Sequence, residues 1–371
     1  MRSTVYLIGA GPGAPDLISL RGFRCLQKAD VVIFDHMVHP RLLDAAPAAA
    51  ERIDVGSAAP QPTDQEAICY LLAEKAREGK TVARLKWGDP FLFDHGGEEA
   101  LFLHEQGIHF EVIPGVPAAI GATAYAGIPI TYPGGGGDTV TFIRGHEDEG
   151  REKAKVDWDS LVRLEGTIVC YAGPKQLPKM LDALISHGRA AEESAAVIVN
   201  GTLSSQRTIT GTLADLAQTF KDQPVGGAAL LIVGKVVNFR EHLRWFDSRP
   251  LYGRCALVMH SKEQPDDLAE LLEAQGAEVI VDTDTKLDIY RQLLDRKIDA
   301  VTFTSAAAVL SFAATYGVEQ ASDLLAHTVV ATLGPAAADA AGRAGITPAI
   351  QLPSGTQASL ADAIVSHFRS N

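Results

Sequence analysis

The residues best suited to hold a ligand in this chain form a short glycine- and proline-containing loop near its beginning. The apolar run Val5–Ile8 leads directly into Gly9–Pro15, and a helical pattern follows. Because glycine has no side chain to keep a ligand from the backbone, such a loop at a strand end predicts close contact with a bound molecule. Gly9, Gly11 and Ala14 also match the spacing of a dinucleotide-binding loop.

Two prolines argue against a pyrophosphate in that loop. Pro12 and Pro15 stiffen the turn and remove two N–H groups that could have faced a phosphate. The dinucleotide match is therefore formal, and a nicotinamide or flavin site is an alternative that this motif alone does not favour. The loop predicts a ligand pocket and leaves the ligand's identity open.

Predicted strands and helices alternate through the first part of the chain and would position further chemical groups. Distinctive residues follow three more strands: Asp35 after Val31–Phe34, Lys86–Pro90 after Thr81–Leu85, and Pro114–Pro117 after Phe110–Ile113. Helical patterns separate the strands over Leu17–Gln27, Gln65–Glu78 and Glu98–Glu105. This alternation predicts an α/β fold with a mostly parallel sheet and helices on both faces. Ligands of such sheets bind beyond the carboxyl ends of the strands, where these residues lie.

Two further units follow along the chain. Strand patterns in the next unit alternate less regularly with helices, which predicts a mixed sheet: Val140–Ile143, Thr167–Tyr171, Ala196–Val199 and Ala229–Val233. After Trp245–Pro250, strands and helices alternate again over about 120 residues, which is near the usual size of an independent domain. A small α/β domain is therefore predicted at the end of the chain.

Composition limits the compartment and the partners. The chain has 371 residues and a formal net charge of −13, which argues against a broad nucleic-acid-binding surface. No apolar run reaches the ~20 residues needed to span a bilayer, and the N-terminus lacks a signal peptide's apolar core. The four cysteines are far apart and in apolar contexts, which predicts buried reduced thiols and no metal site. We expect a cytoplasmic protein without a membrane or nucleic-acid partner.

Several segments of the first 245 residues carry a resemblance to a known family: Gly9–Leu17, Val31–Val38, Arg84–Glu99, Pro114–Pro129, Thr141–His146 and Gly201–Arg207. Together they resemble the tetrapyrrole (corrin/porphyrin) methyltransferases, and within them the uroporphyrinogen-III C-methyltransferases. The resemblance implies a two-lobed tetrapyrrole methylase fold, with a parallel-sheet lobe over residues 1–117 and a mixed-sheet lobe over residues 118–245. It also implies a homodimer.

The last part of the chain resembles uroporphyrinogen-III synthase. The segments that carry this resemblance are Gly253–Glu278, Phe303–Ala306, Leu333–Pro335 and Pro353–Leu360. The synthase holds its substrate between two lobes, whereas residues 250–371 have room for only one. We therefore expect this synthase-like domain to be inactive alone.

The resemblance implies a reaction and a set of site residues. The reaction is C-methylation of uroporphyrinogen III to precorrin-2, in sirohaem and cobalamin biosynthesis, with S-adenosylmethionine as donor and S-adenosylhomocysteine as product. Asp35 aligns with a family acid that handles a proton at the macrocycle. The donor would be bound by residues at strand ends: Pro12, Gly88, Asp89, Pro117, Ala118 and Ala172. The polycarboxylate tetrapyrrole would be bound by cationic or imidazole side chains: Arg21, Lys86, His95 and His146.

Five positions depart from the family's pattern: Ser57 replaces a Lys, Trp87 a Gly, His95 an Arg, Pro117 a Thr and Ala172 a Met. The lost Lys and Arg weaken the binding of an anionic substrate, while the changes at Trp87 and Pro117 fall on the donor pocket. Two alternatives follow. The chain is a family methyltransferase that acts on another tetrapyrrole or small acceptor, or it is a non-catalytic binding or scaffold protein that retains the fold.

Overall fold

The structure is a computed structural model that describes residues 3–56, 64–133, 138–145, 156–223, 225–259, 267–282 and 289–370. Ser57 and His146 lie outside the described residues. Contacts divide the chain into two compact units, Met1–Arg244 and Trp245–Asn371. The division of the first unit at residues 117 and 118 stays a prediction. Within the described ranges, no helix is both long enough and apolar enough to cross a membrane.

The first unit begins with a five-stranded parallel sheet. Its strands are β1 (Val5–Gly9), β2 (Val31–Phe34), β3 (Glu51–Asp54), β4 (Val82–Lys86) and β5 (Phe110–Ile113), in the order β3-β2-β4-β1-β5. Its helices are α1 (Leu20–Leu26), α2 (Pro40–Asp44), α3 (Gln65–Arg77) and α4 (Gly96–Glu105). Along β1 the side chains alternate between two apolar layers, because Leu7 packs with α3 and α4 while Ile8 packs with α1 and α2. The predicted parallel sheet with helices on both faces is confirmed.

The first helix begins later than its apolar pattern predicts. Pro15–Leu17 forms a single 3-10 turn, and α1 starts only after Ser19. The Ser19 hydroxyl accepts a hydrogen bond from the Gly22 N–H at 3.1 Å, which satisfies one of the free donors of the first turn. The cap therefore fixes the helix start, and Ala10–Ala14 remain as the loop between β1 and the 3-10 turn.

A mixed sheet follows in the same unit. Its strands are β6 (Val140–Arg144), β7 (Thr167–Ala172), β8 (Ser194–Val199), β9 (Arg207–Thr212) and β10 (Ala229–Val233), in the order β6-β7-β10-β8-β9. The helices are α5 (Ala118–Tyr125), α6 (Trp158–Leu161), α7 (Leu177–Ser186), α8 (Leu213–Asp222) and α9 (Arg240–Leu243), with a 3-10 helix over Lys235–Phe239. Only the β6–β7 pair is parallel among the pairs described, so the predicted mixed sheet is confirmed. One face packs on α7 and α8, and the other packs on α5.

The second unit is a separate parallel sheet. Its strands are β11 (Cys255–Met259), β12 (Glu278–Val281), β13 (Ala300–Phe303), β14 (Val329–Leu333) and β15 (Ile350–Leu352), in the order β12-β11-β13-β14-β15. Its helices are α10 (Leu268–Ala274), α11 (Ile289–Leu294), α12 (Ala306–Tyr316), α13 (Val318–Leu324), α14 (Pro335–Arg343) and α15 (Gln357–Ser370). The strands β13 and β14 are neighbours, so the turns that begin α12 and α14 lie at adjacent strand ends. The predicted small α/β domain is confirmed.

Burial sets the chemistry of the cysteines. Cys69, Cys170 and Cys255 are buried free thiols, whereas Cys25 is half-buried and departs from the expected full burial. Burial raises the pKa of the Cys170 thiol to about 12, and it is the main cause of a similar pKa at Cys255. These two side chains therefore stay protonated at neutral pH and are poor nucleophiles.

Candidate functional site

Three loops meet at the carboxyl edge of the parallel sheet with their backbones in contact. The Gly11 N–H donates to the Gly88 carbonyl at 3.2 Å, and the Gly88 N–H donates to the Gly11 carbonyl at 2.8 Å. A Cβ added to Gly115 would lie 2.1 Å from the Gly88 oxygen, so no larger residue fits the observed backbone there. Gly11 and Gly88 have φ of +85° and +70°, which glycine adopts most easily. The glycine-rich segments of the sequence thus form one surface made of backbone, which we call the glycine floor (Gly9, Gly11, Gly88 and Gly115).

The carboxylate of Asp89 ties two of these loops together. Its Oδ2 accepts a hydrogen bond from the Gly115 N–H at 3.0 Å, and its Oδ1 accepts one from the Phe91 N–H at 2.9 Å. Both oxygens are therefore engaged with the protein's own backbone. The predicted contact of this carboxylate with a ligand stays a prediction, while its observed partners give it a structural role.

A cavity of about 380 Å³ lies beside the glycine floor, between the two sheets of the first unit. Pro12, Trp87 and Ala118 line it from the loops and α5, and Ile198 and Leu230 line it from the mixed sheet. Its volume falls in the range of small-molecule sites in proteins. Pro12 and Ala118, two of the residues predicted to bind the donor, are thus brought together on one apolar wall.

A hydrogen bond joins the first loop to the mixed sheet's side of the cavity. The Ala14 N–H donates to the hydroxyl of Thr202 at 2.9 Å, and Thr202 is 3% exposed. The Thr202 N–H in turn donates to the side-chain oxygen of buried Gln206 at 2.7 Å. This chain of bonds fixes the loop that carries Pro12 against the second sheet.

Asp35 lies at the end of β2 and is held by a buried arginine. Its Oδ1 accepts a hydrogen bond from Nη2 of Arg84 at 2.6 Å, and the Asp35 side chain keeps 26% of its surface exposed. Arg84 is 1% exposed, so its charge depends on nearby carboxylates. Burial by itself lowers the pKa of Arg84, but Glu99 and Asp35 outweigh it and the pKa is raised overall. Arg84 is therefore a fixed cation that orients the Asp35 carboxylate.

Glu99 is the common partner of two buried cations on β4. Its Oε1 accepts from Nε of Arg84 at 3.2 Å and from Nζ of Lys86 at 2.9 Å, and Glu99 itself has no exposed surface. Lys86 also pairs with Asp94 at 3.1 Å. Burial raises the pKa of Asp94, although the Lys86 charge acts in the opposite direction. We call Arg84, Lys86, Glu99, Asp35 and Asp94 the buried charge network.

The structure does not bring the predicted substrate-binding cations to the cavity. Lys86 is 1% exposed and has Glu99 and Asp94 as partners, which departs from the expectation that it faces a ligand. Arg21 lies on the exposed side of α1 and pairs with Glu111. His95 precedes α4, and its Nδ1 lies 2.8 Å from the Glu98 carboxylate. Their substrate-binding roles stay predictions.

The two remaining donor-binding candidates are placed differently. Pro117 is the residue before α5 and provides no side-chain cap, because it has no hydroxyl to accept a hydrogen bond. Ala172 lies on β7 with its side chain in the core against α7 and α8, opposite the face that Tyr171 presents to α5. The side chain of Ala172 is therefore directed away from the wall that Ala118 forms.

The family model of the tetrapyrrole (corrin/porphyrin) methylases matches residues 4–217, and the model of uroporphyrinogen-III synthase HemD matches residues 245–362. The chain belongs to the tetrapyrrole methylase family. The resemblance noted in the sequence is confirmed for both parts of the chain.

The relatives of this tetrapyrrole methylase include siroheme synthases and a uroporphyrinogen III methyltransferase. A siroheme synthase of Thiobacillus denitrificans is 44% identical over 269 residues, which are 72% of this chain and 55% of that protein. An S-adenosyl-L-methionine-dependent uroporphyrinogen III methyltransferase of Methanosarcina barkeri is 43% identical over 240 residues, which are 64% of this chain and 94% of that protein. The chain spans about half the length of the siroheme synthases it matches.

A solved structure supports the same relationship. The uroporphyrin-III C-methyltransferase from Thermus thermophilus, complexed with S-adenosylhomocysteine, matches with a TM-score of 0.55 and 33% identity. The match covers 64% of this chain and 99% of that structure. The observed fold of the first unit is therefore that of the tetrapyrrole methylases.

Sequence reasoning missed several residues of this tetrapyrrole methylase that shape the site. Arg84 and Glu99 were given no role, and neither was Thr202 or Tyr171, whose hydroxyl accepts from the Ala119 N–H at 3.1 Å. The sequence did contain a signal for Arg84 and its carboxylate partner. Arg84 and Lys86 alternate with apolar residues along β4 and therefore share one buried face of the sheet. Buried cations require carboxylate partners.

Proposed function

We propose that the chain is an S-adenosylmethionine-dependent methyltransferase that converts uroporphyrinogen III to precorrin-2. The observation that carries the proposal is the cavity between two sheets, which is lined by Pro12 and Trp87, the neighbours of two floor glycines, and by His36, the residue after Asp35. The names of the relatives from Methanosarcina barkeri and Thermus thermophilus support the donor and the substrate class. Sirohaem and cobalamin biosynthesis is the context that fits this reaction.

The residues present fit the proposed donor. Apolar walls from Pro12, Ala118 and Leu230 suit an adenosine ring, and the backbone of Gly13 and Gly201 supplies polar groups along the same cavity. Asn200 also lines the cavity, and its side-chain amide has an acceptor oxygen and two N–H groups, one of which can donate to the Ser205 hydroxyl at 3.4 Å. When bound, S-adenosylmethionine supplies the methyl group and leaves as S-adenosylhomocysteine. The chain would hold both reactants in line and keep water away, and such orientation can remove about 7–11 kcal/mol of a barrier.

Asp35 would accept the proton that the methylated macrocycle must lose as its double bonds reorganise. It is partly exposed at a strand end, and Arg84 fixes its orientation from below the surface. A carboxylate held in one orientation can take a proton from a group placed next to it, as a general base does. Arg84 would be a positioning residue, since its own surface is buried.

Binding and turnover together test the proposal. We expect S-adenosylhomocysteine to bind in isothermal titration calorimetry, and we expect uroporphyrinogen III with S-adenosylmethionine to give the absorbance of a dimethylated product. Binding without that product would favour a different acceptor. No heat and no thermal shift at millimolar ligand would overturn the proposal and favour a non-catalytic protein that retains the fold.

We expect Asp35→Asn to lower kcat about 100-fold, the usual range for loss of a general base. Asparagine keeps an oxygen for Arg84 but cannot take a proton, so the affinity for S-adenosylhomocysteine should stay unchanged. The control is Asp182→Asn, because Asp182 is an exposed carboxylate on α7 that does not line the cavity. Steady-state kinetics measure both variants, and equal kcat values for the two would rule out the assigned role of Asp35.

The second unit would not close a tetrapyrrole ring alone. Its described residues form one sheet with its helices, whereas ring closure with inversion of a pyrrole needs a cleft between two lobes. Its inactivity, the homodimer and the cytoplasmic location remain predictions from the resemblance and the composition.

A further inference from the structure

The cavity beside the glycine floor offers no carboxylate to a positively charged ligand. Of the described residues that line it, none is Asp or Glu. The methyl donor of the proposed function carries a sulfonium cation, and a cation removed from water needs a compensating partner. The cation must therefore be stabilised by groups other than an ion pair with the described walls.

One large aromatic ring stands on the wall next to the residues predicted to hold the donor. Trp87 lines the cavity together with Pro12 and Ala118, and it packs against the apolar layer between α5 and the mixed sheet. It directly precedes Gly88 of the glycine floor. An indole is the side chain whose face attracts a cation most strongly.

The other aromatic groups of the cavity are engaged elsewhere. His36 has 56% of its side chain exposed, and its Nδ1 lies 3.6 Å from the Asp54 carboxylate. His39 begins α2, where its Nδ1 accepts a hydrogen bond from the Arg41 N–H at 3.3 Å. Among the described lining residues, Trp87 is thus the aromatic group best placed to receive the charge.

We propose that the indole of Trp87 recognises the sulfonium of the methyl donor by a cation–π contact. The inference rests on the proposed function, since it assumes that S-adenosylmethionine occupies this cavity. It gives a positive role to a residue that replaces the glycine expected from the family resemblance. Trp87 then sets the preference for the donor, whose sulfur is cationic, over the product, whose sulfur is neutral.

Paired titrations of S-adenosylmethionine and S-adenosylhomocysteine test this role. We expect Trp87→Leu to raise the Kd of S-adenosylmethionine by about 3- to 30-fold more than the Kd of S-adenosylhomocysteine. This ratio corresponds to the free energy of a cation–π contact. Trp87→Phe keeps an aromatic face and should retain most of the preference, while both substitutions shorten the side chain. Equal losses for the two ligands in Trp87→Leu, or no loss, would overturn the inference and leave the proposed function standing.

A second measurement avoids changing the ring itself. Replacement of the other two tryptophans, Trp158→Phe and Trp245→Phe, leaves Trp87 as the only indole of the chain. Its fluorescence should change more on saturation with S-adenosylmethionine than with S-adenosylhomocysteine. Equal responses to both ligands would count against the cation–π contact even if Trp87→Leu failed to fold. Absence of binding of either ligand to the unmodified chain would instead overturn the proposed function, and the inference with it.

Discussion

Replacement of Glu99 by Gln is expected to lower the free energy of unfolding of the first unit by about 3 kcal/mol or more, because it removes the carboxylate from a buried ion pair. Oε1 of Glu99 accepts hydrogen bonds from both Arg84 and Lys86, and all three residues have at most 1% of their surface exposed. Glutamine keeps the shape and one acceptor oxygen but carries no charge. The buried cations Arg84 and Lys86 would then lose the carboxylate that lies between them.

The geometry around Glu99 leaves little room for compensation. Its second oxygen, Oε2, is buried without a hydrogen-bond partner among the described residues, so an amide group placed there would find none either. Arg84 would retain Asp35, and Lys86 would retain Asp94. Because Arg84 positions Asp35, we also expect kcat to fall in Glu99→Gln, by less than in Asp35→Asn.

The neighbouring glutamate provides a matched control. Glu98 lies on the same turn of α4 with 65% of its side chain exposed, and it pairs with His95. An exposed pair of this kind contributes about 1 kcal/mol at most, so Glu98→Gln should leave the unfolding transition nearly unchanged. Urea unfolding, with the first unit's transition assigned by hydrogen exchange, measures both variants. Coincident transitions for the two would contradict a stabilising role of the buried charge network.

Local patterns predicted those elements whose apolar runs are bounded by turn residues. The strands Val31–Phe34, Phe110–Ile113 and Ala229–Val233 were predicted with the bounds that the structure has. The strand β3 was missed, because Glu51–Asp54 contains one apolar residue and takes its extended form from pairing with β2. Edge strands of this kind are set by their neighbour and not by their own composition.

The same distinction separates the predicted from the missed parts of the site. Glycine and proline spacing located the loops, because a backbone that approaches a ligand needs those residue types locally. The burial of Lys86 was not predicted, since its partner Glu99 lies on another element and 13 positions away. The inward direction of Ala172 follows from strand periodicity only once the strand is known to include it, as β7 does. The local sequence pattern therefore did not predict which side chains on different elements pair with one another.

The largest expected loss at the ligand site itself comes from Gly115→Ala. The added Cβ would lie 2.1 Å from the Gly88 oxygen and 2.7 Å from the Gly9 Cα, and both are backbone atoms that cannot rotate away. The loop after β5 must then move away from the other two loops. We expect a loss of stability of about 3 kcal/mol, the upper end for overpacking. We also expect affinity for S-adenosylhomocysteine to fall, because the loop that moves leads into Ala118 of the cavity wall.

A second glycine of the same lobe separates this clash from a general effect of adding a methyl group. Gly97 lies in the first turn of α4, and a Cβ built there meets nothing within 4 Å. Gly97→Ala should therefore stabilise the first unit by about 0.5–1 kcal/mol through helix propensity and leave ligand affinity unchanged. Thermal unfolding and calorimetric titration of both variants give the comparison. If Gly115→Ala bound the ligand as tightly as Gly97→Ala, the close contact of the three loops would not form the floor of the binding site.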